Sequence, residues 1–427
     1  MDTIAAPVIE KLAADFMHQP YELYARLRDE GPAREIIMPH GVKVWMVTRY
    51  DDVRSILSDP RISKDGRRIN ELFARHSGMV EEPSVYDDEL SAHMLNSDPP
   101  RHERLRKLVS RAFTTRRIEL LRPRIEQIVD ELLDAMDGRQ ADLITELAIP
   151  LPITVITELL GVPVEDRESF RLWATTLVGA HHSAAEVAEA SAAVIGYAGR
   201  LIQAKRTAPG DDLLSAMAQV GDDGDLLTHG ELVAMVFLLV AAGHETTLST
   251  FGNAIHSLLR NPEQLAMLRA DPALLPAALD ELFRYDGGVS LATFRFTKEE
   301  IQLDGATIPA GEIVVVSLGS AGRDRAKFHD PDRLDITRQV SGSLAFGHGI
   351  HYCIGAQLGK LEIEVGIGRL LARFPDLSLT VEPAELRWKS STLMHGLVTL
   401  PVRLHNPGCE VIQTINSGSA LNWSRIV

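Results

Sequence analysis

The sequence predicts a mainly α protein with a smaller β region, on three observations. Segments with apolar residues at helical spacing cover most of its 427 positions. Strand signal is confined to three short stretches, 42–47, 313–316 and 397–404. No internal repeat and no low-complexity linker divides the chain, although its length alone allows roughly three ordinary domains.

The elements follow in order. Val42, Val44, Trp45, Met46 and Val47 make the first strand. Asp98-Pro99-Pro100 precedes a helix that carries His102 and Arg106 on one face, four residues apart. Ile125, Ile128, Val129, Leu132, Leu133 and Met136 recur at helical spacing, and Gly138 stands where a left-handed cap belongs. Thr228 and Glu231 form a capping box for a helix that runs without proline to Asn261-Pro262, roughly 45 Å at 1.5 Å per residue. Its stretch 237–242 is apolar on every side, so this helix is expected inside the protein. A further helix carries Glu281 and Arg284 on one face. A glycine-punctuated loop over 344–355 leads into a helix over 356–374, and residues 406–427, rich in Asn, Ser, Gly and Thr, read as a poorly ordered tail.

Composition narrows the function classes. With 45% hydrophobic and 24% charged residues the chain can bury a large core. A net charge of −15 argues against nucleic acid as a partner, because phosphate binding needs cations. Two cysteines, Cys353 and Cys409, build no disulfide scaffold and suit a reducing compartment. The N-terminus lacks a basic segment followed by an apolar one. The longest apolar run, 232–243, is about twelve residues against the eighteen or so of a membrane span. The expectation is a soluble cytoplasmic protein with no membrane partner.

Cys353 lies just ahead of a predicted helix N-terminus, where backbone N–H groups and the helix dipole favour a metal-ligating thiolate. Three other readings compete. A dinucleotide loop needs a glycine where Tyr352 stands. A zinc site could use His348, His351 and Cys353 but lacks the usual second cysteine pair. A buried inert cysteine is the plain default. The run Phe346-Gly347-His348-Gly349-Ile350-His351-Tyr352-Cys353-Ile354-Gly355 resembles the heme-binding signature of the cytochrome P-450 family in its soluble bacterial form.

That resemblance implies a single monooxygenase domain over 1–405, a triangular helical prism with a smaller β region. It implies heme b as cofactor, with Cys353 as the iron ligand and Phe346, Gly347, His351 and Gly355 beside it. His102, Arg106, Arg295 and His351 would bind the heme propionates. Glu281 and Arg284 would form the family's structural pair, with Arg333 as third member. Some segments depart from the usual pattern, with Gly322-Arg323-Asp324-Arg325 for Asn-Arg-Asp-Pro, Leu334 for a common Phe, and Gly359-Lys360 for Ala-Arg.

On the long helix, Ala242-Gly243-His244-Glu245-Thr246-Thr247 sets an acid beside two hydroxyls. Leu248 stands where a zinc protease needs its second histidine. A buried unpaired Glu245 would cost several kcal/mol, which points to a chemical purpose. By resemblance, Ala242 and Gly243 border the heme, while Glu245 and Thr246 deliver protons as dioxygen is reduced. The implied reaction inserts one oxygen atom into an apolar, fairly large substrate and releases the other as water. Electrons would come from a ferredoxin and ferredoxin reductase, steered by an outward face of Arg104, Lys107 and Arg111. Substrate-facing positions by family position are Leu239, Val240, Val289, Leu291, Leu393, Met394 and the segment 76–97, whose acids Glu81, Glu82, Asp87, Asp88 and Glu89 would suit a cationic group. Macrolides, other polyketides and steroid-like molecules are the expected substrates. Oxidative coupling, peroxygenation and gas sensing are the alternatives on the same scaffold.

Overall fold

In a computed structural model the protein is described over residues 9–76, 88–136, 138–178, 183–219 and 225–404. The tail 406–427, Cys409 and the acids Glu81, Glu82 and Asp87 lie outside these residues. Helices dominate, and a six-stranded sheet forms the smaller β region. Its centre joins distant parts of the chain: Lys43–Val47 runs parallel to Ile313–Val316, with Trp45 opposite Val314, and Arg295–Thr297 pairs antiparallel on the other side. Ile313 to Val316 are all buried, as a continuous β-branched run in a central strand requires.

The expected strand over 397–404 is divided. Leu397 bridges to Trp388, whereas Pro401–Arg403 pairs with Gln140–Asp142 and Ser378–Leu379. One apolar run thus serves two partners. The helix Arg122–Asp134 buries Ile125, Ile128, Val129 and Leu133 as its periodicity demands. It closes at Ala135 in a right-handed conformation, so Gly138 is not its cap.

The long helix is His229–Arg260, 32 residues and about 48 Å, with the Thr228–Glu231 capping box in place. It is long and apolar enough to cross a membrane, yet 72% of its most apolar window is buried inside the fold. Its first half packs with the Ala184–Thr207 helix, and its second half with the helix Leu275–Asp286 and the helix Ala356–Arg373 that follows the cysteine loop. The long helix is therefore the axis on which the elements carrying Cys353 and the distal wall are mounted.

Candidate active site

The cysteine loop is shaped by its own backbone. The Cys353 N–H donates to the Phe346 carbonyl at 3.0 Å, and the Gly347 N–H, at φ +75°, donates to Leu344 O at 2.8 Å. Helix Ala356–Arg373 starts immediately after Gly355, so the thiol stands ahead of a helix N-terminus as expected. Cys353 presents exposed surface while protein walls it on other sides. Desolvation pushes its thiol above the ordinary value, and the Gly355 N–H and the Arg106 charge pull against that.

Beside it, nitrogen groups converge from four elements. His102, 1% exposed on helix Arg101–Ala112, has its ring 4.3 Å from that of His351. Neither ring nitrogen of His102 has a hydrogen-bond partner. One turn on, Arg106 donates to the Tyr352 carbonyl at 2.6 Å. Arg295, buried on the sheet, donates to the Thr293 carbonyl at 2.6 Å, and desolvation pulls its pKa down to about 10. Desolvation, then the charges of Lys64, His102, Arg295 and Arg106, take the His351 pKa down to about 2.

Lys64 is the member that sequence reasoning missed. It is fully buried, donates to Thr293 Oγ1, and is held well below its ordinary pKa by desolvation and by Arg295. Nothing in Arg61-Ile62-Ser63-Lys64 distinguishes it from a surface lysine. Among the described residues no carboxylate forms an ion pair with Lys64, His102, Arg106, Arg295 or His351. Lys64 and Arg295, buried without a counter-charge, cost several kcal/mol as cations, so the site demands an anionic partner. A flat group with two carboxylates on one edge meets that demand, and the accessible thiol of Cys353 supplies a metal ligand beside it. The residues present fit heme.

On the long helix, Ala242 is exposed although Val240 and His244 on either side are buried. Thr246 Oγ1 donates back to the Ala242 carbonyl at 2.6 Å, the competition for a helix carbonyl that a hydroxyl makes possible. Gly243 lies beside Ile156. Glu245 is neither buried nor unpaired, contrary to expectation. Lys389 Nζ donates to its Oε1 at 2.6 Å, with side-chain exposures of 21% for Glu245 and 23% for Lys389. The partner comes from 144 residues away, which no local pattern reveals.

The substrate-facing set is only partly assembled. Val289 and Met394 form a β-bridge, and Leu393 O accepts from the Ser290 and Leu291 N–H groups. Leu239 is buried with little surface. Val240 and Leu291 are wholly enclosed in two apolar clusters, so neither presents surface to a substrate.

Glu281 and Arg284 are joined by two bonds, 2.6 Å and 2.8 Å, with no side-chain exposure. Arg284 also donates to the carbonyls of Gly322 and Pro331 at 2.6 Å and 2.9 Å. A Cβ on Gly322 would lie 2.5 Å from the Arg284 carbonyl, so only glycine fits there. The third member is Arg338, whose Nε donates to Glu281 Oε1 at 3.1 Å, and not Arg333, which is exposed. A turn explains the correction: the Arg338 N–H donates to Asp335 O, and the Asp335 N–H donates to Glu281 Oε1, so the turn brings the Arg338 side chain back to the same carboxylate. Arg104, expected to face outward freely, is bound by Asp225 and Glu231, both at 2.8 Å.

Comparisons with known proteins show the family. The family model described as cytochrome P-450 matches residues 181–404. Cytochrome P-450 107B1 of Saccharopolyspora erythraea is 52% identical over 389 residues, covering 91% of this chain and 96% of that protein. The 6-deoxyerythronolide B hydroxylase of the same organism is 41% identical over 404 residues, covering 93% of this chain and 99% of that protein. The structure of the tirandamycin C-bound P-450 monooxygenase TamI superposes with a TM-score of 0.85 at 47% identity, covering 93% of this chain and all of that one. With relatives matched over nine-tenths of its length, this chain belongs to the cytochrome P-450 family and is a heme-dependent monooxygenase.

Proposed function

We propose that this enzyme inserts one oxygen atom into a large, mostly apolar natural product of the macrolide, other polyketide or steroid-like kind, using heme b and electrons from a separate ferredoxin and its reductase. The observation that carries the reading is the cluster of buried Lys64, His102 and Arg295 with half-buried Arg106 and His351, free of carboxylate ion pairs among the described residues and beside an accessible Cys353. Heme, when bound, supplies the chemistry of dioxygen reduction and oxygen insertion. The chain's residues do the rest. The cation cluster holds the propionates, and Cys353 binds the iron as thiolate. Thr246 and Glu245 hold and pass protons at the hydroxyl Oγ1 and the carboxylate on Oε1. Leu393, Met394 and Val289 exclude water and orient the substrate. The names of the hydroxylase of 6-deoxyerythronolide B and of tirandamycin C-bound TamI support the substrate class. We read 1–405 as the catalytic domain, 406–427 as a tail, and the cytoplasm as its compartment.

The test is the reduced carbon monoxide complex, which should show the absorption band of a thiolate-bound heme in the wild type and lose it in Cys353→His. A normal band from Cys353→Ala would end the assignment. Spin-state titration against macrolides, other polyketides and steroids then selects the substrate class, and gas binding without reductant consumption would favour a sensor instead.

A further inference from the structure

The acid of the long helix is tied to the same hairpin that carries two substrate-facing residues. Lys389 stands on its stem, closed by the Trp388–Leu397 bridge, by the Lys389 N–H on Gly396 O at 2.8 Å and by the Val398 N–H on Arg387 O at 2.8 Å. Its turn presents Leu393 and Met394, whose N–H groups both donate to Ser391 Oγ, at 3.3 Å and 3.0 Å. The turn is also fastened to 288–291, with the His395 N–H on Gly288 O at 2.9 Å and Met394 bridged to Val289.

Stem and turn are coupled to each other and to the long helix. Trp388 and His395 stack at 4.0 Å and 7°, so the two arms are held face to face. Asn253 Nδ2 donates to the His395 carbonyl at 2.8 Å. Gly396 approaches so closely that a Cβ there would lie 2.5 Å from Ser249 Oγ. A displacement of Leu393 or Met394 is thus transmitted to Lys389 through stacked and hydrogen-bonded groups rather than absorbed by a loose loop. At the other end, Glu245 is held by a single bond from Lys389, and a partly exposed ion pair of this kind is cheap to break.

We propose that Lys389 is a positioning residue for the Glu245 carboxylate, and that the hairpin relays the fit of a ligand at Leu393 and Met394 to this ion pair, so that proton delivery depends on how the substrate seats. This rests on the proton-delivery role assigned to Glu245 above. The ammonium holds the carboxylate turned toward the hairpin. Release frees it to carry a proton toward Thr246, one residue on.

The test is lysine labelling of the holoenzyme by reductive methylation, read at Lys389 by mass spectrometry, with and without the bulky apolar azole clotrimazole at a concentration that saturates its heme absorption shift. Labelling of wild-type Lys389 should rise about threefold with clotrimazole, the scale of a partly exposed ion pair. In Glu245→Gln it should be fast in both conditions. Labelling that ignores clotrimazole in wild type, or still responds to it in Glu245→Gln, overturns the relay. During reductant-driven oxygen consumption with a surrogate ferredoxin, Lys389→Met should raise the fraction released as peroxide, and Lys389→Arg should restore it. An unchanged fraction in Lys389→Met overturns the positioning role. A wild-type enzyme lacking the thiolate band of the carbon monoxide complex would instead overturn the reading beneath both.

Discussion

Glu281 and Glu245 both pair with a cation, and the contrast between them separates what holds this molecule together from what it does. Glu281 has no exposed side-chain surface and accepts four hydrogen bonds, from Arg284 Nε on Oε2 and from Arg284 Nη2, Arg338 Nε and the Asp335 N–H on Oε1. Glu245 is about one-fifth exposed and accepts a bond from the Lys389 ammonium. A carboxylate enclosed by four hydrogen bonds cannot leave its partners without loss of the fold, whereas one held by a single ammonium can. Glu362 is a third case, buried with Oε2 unpartnered.

The largest expected effect lies at the enclosed pair. Glu281→Ala leaves the Arg284 guanidinium buried without its carboxylate and should cost about 3–5 kcal/mol of stability, read by chemical denaturation of the holoenzyme. A loss no greater than that of an exposed pair would break the contrast.

Glu362 tests what a carboxyl with neither arrangement does. Burial pushes its pKa from 4.5 up to about 8. The folded protein therefore keeps a proton that the unfolded chain releases, and stability should fall as pH rises from 4.5 to about 8, at ~1.4 kcal/mol per pH unit, then level off. Glu362→Gln should flatten that slope in denaturation curves taken across the window. An identical slope in wild type and variant would remove Glu362 from the account.

At the open pair the expected change is in rate, not stability. Glu245→Gln should leave the thermal midpoint close to wild type while slowing oxygen-coupled turnover roughly 10²-fold. Thr246→Ala should keep oxygen consumption and divert it to peroxide. A Glu245→Gln protein that unfolds as readily as Glu281→Ala would erase the distinction between the two glutamates. The smallest effect belongs to Arg333→Ala, within about 0.5 kcal/mol as a surface change, with Arg338→Met costing more because it removes a bond to Glu281. Equal losses in the two would return Arg333 to the network.

Much of this was legible along the chain, because short-range physics writes itself into spacing. The capping box at Thr228 and Glu231, the apolar middle of the long helix, the Val42–Val47 and Ile313–Val316 runs, and the glycine-rich turn before Cys353 all depend on neighbours within a few residues. So does the face shared by Glu281 and Arg284. Where reading failed, the deciding contact was distant. The 397–404 run was divided because its two ends found different partners, Leu397 in an isolated bridge to Trp388 and Pro401–Arg403 in a sheet with Gln140–Asp142 and Ser378–Leu379. Arg338 displaced Arg333 because the turn closed on Asp335 O returns it to Glu281, which also accepts from the Asp335 N–H.

Helix periods, caps and the residue types of the thiolate loop are local, and the free energies that select them are the same wherever the segment lies. Burial and ion pairing are not local. Lys64 is an unremarkable lysine until the sheet carrying Thr293 and Arg295 closes over it, and Glu245 is an unpaired mid-helix acid until a hairpin 144 residues away brings Lys389 to 2.6 Å. The charge state of Lys64 and the reach of Glu245 are set by the protein surrounding them, because desolvation and ion pairing depend on distance in space and not on separation in sequence.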